Sequence, residues 1–331
     1  MFQTKKLFHF LSRHCISRNY QVTVVGGASE IGQTVGLLLR TQPAITKLII
    51  HDDLEHTPGV VLDLSHIPSG SALQGVVGGN SLEKFWTDSS IIIATGGVAR
   101  SPGTSKETWF NANVDFIKTL SSRISKMSPM PFVGIATEPI NTLVPMAAEI
   151  MKNHGEYDPK KMFGITILDK LKTEALYAAE AEKDPQNCNV PVIGGHSEKT
   201  LIPLLSQAEP KCNLDEKRIQ EFTSRVRSSD SAILKSKCGW SPSLSVAYGA
   251  VAFTKCIMDA LDGRTTQIQA YVENNDFGTS YFSGLVTVDQ NGVKEMQSYS
   301  NLSSYECQLL ERSIEQLRKE VLMGKKALEL E

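Results

Sequence analysis

From residue 21 onward, short apolar runs alternate with stretches whose apolar residues recur at helical spacing. Gln21 to Gly26 (QVTVVG) reads as a buried strand, a glycine-rich turn follows, and Ile31 to Arg40 reads as an apolar-faced helix. Lys47 to His51 (KLIIH) is another strand, ending in Asp52-Asp53, and Ser90 to Thr95 (SIIIAT) and Pro131 to Thr137 repeat the pattern. Val- and Ile-rich runs separated by helices predict an α/β fold on a doubly wound parallel sheet, covered on both faces. The second half is more mixed. It shows a helix after Asp169, hairpin segments around Tyr281 to Ser298 with Asn291-Gly292 as the turn, and a long polar-faced helix from Ser303 to about Leu328. The change of pattern places a domain boundary near residue 165, with a sheet domain over 20–165 and an α+β domain over 166–331.

At 331 residues the chain is long enough for two domains or one large one. A net charge of −2 with no basic stripe predicts no nucleic-acid partner. No apolar run approaches the roughly 20 residues of a membrane span, so no membrane partner is expected. The six cysteines, at 15, 188, 212, 238, 256 and 307, contain no C-x-x-C pair, which suits reduced thiols and predicts no metal site. The first nineteen residues stand apart. They carry Lys5, Lys6, Arg13 and Arg18, while the first acid of the chain is Glu30. Phe2, Leu7, Phe10 and Leu11 would form an apolar face opposite those charges, which is how a mitochondrial presequence reads and predicts a matrix protein. The other reading is a plain basic tail. The C-terminal ALELE is not a peroxisomal signal.

Strand, glycine turn, helix, then an acid closing the next strand is the arrangement that binds a dinucleotide. The helix N-terminus offers free N–H groups to a pyrophosphate, and the acid accepts from ribose hydroxyls. Here the loop runs from Gly26 to Gly32, with Ile31 at the helix start, and the acid is Asp52, 20 residues past Gly32. A carboxylate there favours NAD over its 2′-phosphorylated relative. Two loop residues depart from this logic. Ser29 sits where a middle glycine would let backbone approach phosphate, and Glu30 brings negative charge to an anion site. Glu30 also reads as a helix-start acid, worth roughly 0.3–1 kcal/mol against the dipole.

Val192-Ile-Gly-Gly-His196 supplies a histidine 27 residues past the acid of Leu168-Asp169. An imidazole oriented by a carboxylate can move a proton off a hydroxyl while a hydride leaves the same carbon. Alone, a glycine-flanked histidine reads as a turn residue; the neighbouring dinucleotide pattern reverses that preference.

Several ordered segments now match one family. They are His56-Thr-Pro-Gly-Val-Val-Leu-Asp-Leu-Ser-His-Ile67, Phe110-Asn-Ala-Asn113, Phe163-Gly-Ile-Thr-Ile-Leu-Asp169, Asn189-Val-Pro-Val-Ile-Gly-Gly-His196, Lys199-Thr-Leu-Ile-Pro203 and Leu244-Ser-Val-Ala-Tyr248. From Gln21 onward the chain resembles the NAD-dependent malate dehydrogenases of mitochondrial and bacterial type. The resemblance implies a Rossmann-type domain followed by a catalytic domain, NAD as cofactor, a 2-hydroxy dicarboxylate as substrate and a homodimer. It makes His196 the acid–base and Asp169 its orienting partner. It gives Arg100 the distal carboxylate, Lys106 the substrate carbonyl and Lys172 the near carboxylate, and it places Asn113, Thr137 and Val246 at the cofactor.

The departures from the family concentrate in the site. Lys106 and Lys172 stand where the family has arginines, and a point-charge ammonium replaces a planar fork matched to carboxylates. Each exchange would cost on the order of 1.5–3 kcal/mol of charge-assisted bonding, about tenfold or more in rate or affinity. Glu138, in Thr137-Glu-Pro-Ile-Asn141, replaces an amide that bonds substrate, and its carboxylate would repel a dicarboxylate unless protonated or paired with Lys106 or Lys172. Val246 replaces a methionine, and the Gly239-to-Ser243 turn is one residue shorter than the family's loop and bulkier. Two readings follow: a malate dehydrogenase-like enzyme of reduced activity or altered range, or a catalytically impaired relative kept as a binding or structural protein.

Overall fold

The computed structural model describes residues 20–78, 83–99 and 101–327, without the side chains of Glu83, Lys84 and Lys106. The presequence expectation for 1–19 and the role expected of Arg100 fall outside the described residues, as does the Lys106 side chain.

Strands β1 (Tyr20–Val25), β2 (Ile45–Asp52) and β3 (Ala72–Val77) alternate with helices α1 (Glu30–Arg40) and α2 (Thr57–Ser65). The short α3 (Glu83–Trp86) leads to β4 (Ile91–Ala94), α4 (Lys106–Ile124), β5 (Phe132–Ile135), α5 (Ile140–His154) and β6 (Met162–Ile165). These strands lie in the parallel order β3-β2-β1-β4-β5-β6. That is the order in which two mononucleotide-binding halves meet, leaving a crevice at the carboxyl ends of β1 and β4. β1, β4, β5 and β6 are buried at every position, as their largely apolar runs require.

The second half begins with α6 (Ile167–Ala181), β7 (Val192–Gly194) and β8 (Leu201–Pro203). It continues through α7 (Glu216–Arg227), α8 (Ser229–Ser236), α9 (Leu244–Leu261), β9 (Thr266–Glu273), β10 (Tyr281–Asp289), β11 (Gly292–Met296) and α10 (Ser304–Lys326). Its strands do not form a separate sheet. β9 pairs antiparallel with β6, and the order continues through β10 and β7 to β8. A buried polar chain crosses the same strands: Thr166 and Ser283 share a hydrogen bond of 2.7 Å, and the Gln269 amide donates to both Ser283 Oγ and Val192 O. α9 is apolar over its 18 residues because it packs on α1, α6 and the sheet at once.

Three sequence expectations shift slightly. α6 starts before Asp169, placing that acid in its first turn. The β10–β11 turn is Gln290-Asn291 rather than Asn291-Gly292, with Gly292 already in β11 at φ +111°. The helix expected to end near Leu328 ends at Lys326 and is held at its start by a capping box between Ser303 and Glu306.

Candidate active site

The nucleotide end is built by close approach. Gly26, at φ +80°, lies so near Gly96 that a Cβ would come within 2.0 Å of the Gly96 Cα. A Cβ on Gly32 would meet the Gly26 carbonyl at 2.1 Å, so loop and helix can touch only as glycines. Ser29 is the N-cap of α1: its hydroxyl accepts from the Gly32 N–H at 3.0 Å and donates to the Thr95 carbonyl at 2.9 Å. The residue that looked like damage to the loop closes the helix instead. Glu30 does not fold into the loop either. Its carboxylate reaches the other half of the molecule, accepting from the Ser243 hydroxyl at 2.5 Å with Lys237 Nζ at 3.6 Å.

Asp52 fastens the loop to β2. One carboxylate oxygen accepts from Ala28 N–H at 2.9 Å and the other from Asp53 N–H at 2.8 Å. A cleft of about 510 Å3 opens beside the loop, and Ile31, Asn113, Thr137 and Val246 line it. Asn113 and Thr137 also shape it: the Asn113 amide accepts from Val98 N–H at 2.6 Å and donates to the Glu138 carbonyl at 2.7 Å, while the Thr137 hydroxyl donates to Gly96 O. A further cavity of about 710 Å3 adjoins Gly26 and Asp52 and is lined by His51, Trp86 and Arg123. There the buried ring nitrogens of His51 and the indole N–H of Trp86 make no hydrogen bond. Burial pushes the His51 pKa down to about 4, so the ring is neutral at pH 7. The helix start, Asp52, the cleft and these unbonded polar groups together fit an extended dinucleotide. His51 and Trp86 were not singled out from sequence, where a strand histidine and a lone tryptophan carry no motif.

At the substrate end, Asp169 rises from the first turn of α6 and His196 follows β7. Asn141, at the start of α5, fixes the histidine backbone by accepting the His196 N–H at 2.8 Å, and its own amide donates to Thr200 and to Glu320 of α10. The structure brings the predicted pair together: His196 Nδ1 is 2.6 Å from Asp169 Oδ2. Lys172, one helical turn on, places Nζ 2.9 Å from the other Asp169 oxygen and 3.0 Å from Asp230 Oδ2 on α8. Glu138 is not paired with Lys172. Its carboxylate instead lies 3.4 Å from His196 Nε2, because Lys172 is already shared between Asp169 and Asp230. Asp230 was missed in the sequence, being one acid in a polar helix with nothing local to mark it.

These charges act on one another. Burial pushes the His196 pKa down, but the charge and hydrogen bond of Asp169, with Glu138 beyond, hold it well above its ordinary value. Burial raises the Asp169 carboxyl, yet His196 and Lys172 overcome this and hold it low. Glu138 follows the same balance: withdrawal from water raises it, and the His196 bond and charge bring it below the usual range. Asp169 and Asp230 likewise keep Lys172 charged against its burial. A pocket of about 770 Å3 opens onto this cluster, lined by His196, Glu138, Asp230, Glu198, Trp109 and Pro242. Trp109 and Glu138 also line the nucleotide cleft, so the two spaces adjoin. A proton donor therefore faces a pocket that borders a dinucleotide cleft.

Comparison with known proteins meets this geometry. Residues 20–164 match the lactate/malate dehydrogenase NAD binding domain, and residues 166–328 match the lactate/malate dehydrogenase alpha/beta C-terminal domain. A malate dehydrogenase from Vibrio campbellii is 37% identical over 307 residues, covering 92% of this chain and 98% of that protein. The mitochondrial malate dehydrogenase of Homo sapiens is 32% identical over 308 residues, covering 92% and 91%. In fold, the chain is similar to the crystal structure of Cryptosporidium parvum malate dehydrogenase, with a TM-score of 0.79 at 22% identity over 93% of this chain and 99% of that one. With both domains matched in sequence and an imidazole–carboxylate pair beside the cleft, the chain belongs to the lactate/malate dehydrogenase family and is an NAD-dependent oxidoreductase of malate dehydrogenase type.

Proposed function

We propose that this protein interconverts a 2-hydroxy dicarboxylate and its 2-oxo acid, with malate and oxaloacetate as the pair. The observation that carries the reading is the 2.6 Å contact between His196 and Asp169, with the far ring nitrogen turned to a pocket bordering the cleft. Bound NAD supplies the acceptor or donor of hydride. The chain's own part is to hold and move one proton at His196 Nε2. Asp169 fixes the tautomer and stabilises the cation, as an imidazole acid–base requires. Asp52 and the first-turn N–H groups of α1 would hold the ribose and pyrophosphate, and Val246 and Thr137 would border the nicotinamide. Lys172 serves the acid–base pair by neutralising Asp169. The substrate carboxylates then fall to Arg100 and to Lys106, the first residue of α4.

The assay is NADH oxidation by the purified chain with oxaloacetate. Turnover that disappears in His196→Asn supports the reading. Stabilisation by NAD without turnover on any 2-oxo acid would overturn it in favour of a binding role.

A homodimer and a mitochondrial destination belong to the same proposal. Leu37 on α1, Leu62 on α2, and Leu244 and Tyr248 on α9 are exposed, the last three by 60% or more, and α1 packs against both α2 and α9. Such a group of apolar side chains on adjoining helices suits a self-complementary interface. Sedimentation of the protein and of Leu62→Arg would test it, a monomer in both cases sinking the dimer. Import of a reporter carrying residues 1–19 tests the destination.

A further inference from the structure

His196 has a carboxylate oxygen against each ring nitrogen: Asp169 Oδ2 at 2.6 Å from Nδ1 and Glu138 Oε1 at 3.4 Å from Nε2. An ionised carboxylate only accepts hydrogen bonds, and a neutral imidazole has a single N–H to give. Both contacts are therefore satisfied at once only by the doubly protonated ring. The surroundings keep the two carboxylates ionised. Lys172 forms an ion pair with Asp169 at 2.9 Å, and its charge also acts on Glu138, whose side chain is 42% exposed at the pocket mouth.

The other groups around the ring are mostly carboxylates, with Lys172 the cation among them. From α6 come Asp169 and Lys172, from α8 Asp230, from the β5–α5 turn Glu138, and from the histidine's own loop Glu198, which takes a hydrogen bond from Ser231. α5 presents only the neutral Asn141, with Glu320 of α10 behind it. Among the described residues, carboxylates outnumber ammonium groups at this pocket, and a proton on the ring reduces the excess.

We propose that Glu138 is a positioning residue that holds His196 in its proton-donating form, so that ketone reduction is served at neutral pH and alcohol oxidation is moved to alkaline pH. The inference rests on the dehydrogenase reading above. In the reductive step a hydride forms the new C–H bond at the carbonyl carbon, and the C=O π pair moves to oxygen. That oxygen takes the Nε2 proton, leaving a neutral ring; the 2-oxo acid is reduced and the cofactor oxidised. Glu138 yields Nε2 to the carbonyl but remains beside the ring as a charge. The reverse step begins from the neutral ring, which Glu138 and Asp169 make scarce. The overall equilibrium is untouched; what moves is the share of enzyme in each protonation state.

The test is a histidine-¹⁵N NMR titration of the full chain without ligands, paired with pH profiles for malate oxidation. In the wild type the His196 ring should lose its proton at least one pH unit above the ordinary midpoint of about 6.5. Glu138→Gln should lower that midpoint by a unit or more, a tenfold change in proton affinity, and carry the acid limb of the oxidation profile with it. A wild-type midpoint near 6.5, or the same midpoint in wild type and Glu138→Gln, overturns the proposal. If Glu138→Gln does not fold, Glu138→Asp replaces it: drawing the carboxylate back should lower the midpoint, and an unchanged value overturns the proposal equally. Should the midpoint shift as expected while neither malate nor oxaloacetate is turned over, the role of Glu138 stands and the substrate reading falls.

Discussion

At the nucleotide end of the cleft, Ser29 and Glu30 are drawn into ordinary structure: one caps α1, and the other bridges to Ser243 and Lys237. At the substrate end, Glu138 and Lys172 join His196 and Asp169 in a single ion cluster with Asp230. Glu30 and Glu138 are similarly exposed; the difference lies in their partners, since Glu138 touches the ring that pairs with the buried Asp169. Glu30 is about half exposed and meets water and one distant lysine, so its charge is screened. Asp169 is only 1% exposed, and each charge near it must be answered by another. An unexpected residue at the first end changes a local contact, whereas at the second it changes the protonation of the whole site.

The comparison is broken most directly by removing the acid–base. His196→Asn should cut kcat/KM by about 10²- to 10⁴-fold while leaving NAD stabilisation intact, as read by steady-state rates and thermal shift. Next in size is Lys172→Met, which takes the ion-pair partner from one oxygen of the buried Asp169 carboxylate. Chemical denaturation should show a loss of about 3 kcal/mol, and a loss below 1 would mean that the cluster is not coupled. The cluster should also mark the stability curve. The His196 pKa is raised, so its contribution is complete below the unfolded value of about 6.5 and fades as pH climbs through the folded value. The Asp169 pKa is lowered, so its contribution is present above about 3.9 and fades as pH falls through the folded value. Tm should therefore decline on both the acid and the alkaline side, and Lys172→Met should flatten the acid side, where Lys172 helps hold Asp169 low.

The nucleotide end should respond more weakly. Ser29→Ala should cost about 1 kcal/mol of stability and Ser29→Gly only a few tenths; equal losses would deny the cap. Glu30→Ala should change stability by less than about 1 kcal/mol and tighten NAD binding only a few-fold, measured by calorimetry. A large gain in affinity would show Glu30 acting on the pyrophosphate after all.

Much of the fold could be read from the chain because its signals are local. Buried parallel strands must be apolar on both faces, and a glycine loop between strand and helix has few other uses. The His196–Asp169 pair was legible through the spacing of two matching segments. The fate of Glu138 was not, since a carboxylate's partner is settled by which charge lies nearest in three dimensions, and Asp230 reached Lys172 first from a helix 58 residues away. Ser29 and Glu30 misled for a related reason: a loop motif shows which residue departs from it, not whether the side chain finds another use.

His196 follows β7, and Asp169 lies in the first turn of the helix that follows β6, with β9 and β10 between those strands in the sheet. At roughly 4.8 Å per strand spacing, the sheet works as a ruler some 14 Å long, and the 2.6 Å contact depends on its calibration. The hydroxyl–amide stitch through Thr166, Ser283 and Gln269 adds side-chain hydrogen bonds to the backbone ladders that join those strands. Alterations deep in β9 or β10, far from any ligand, would thus reach the chemistry as a change in the gap across which a proton is shared.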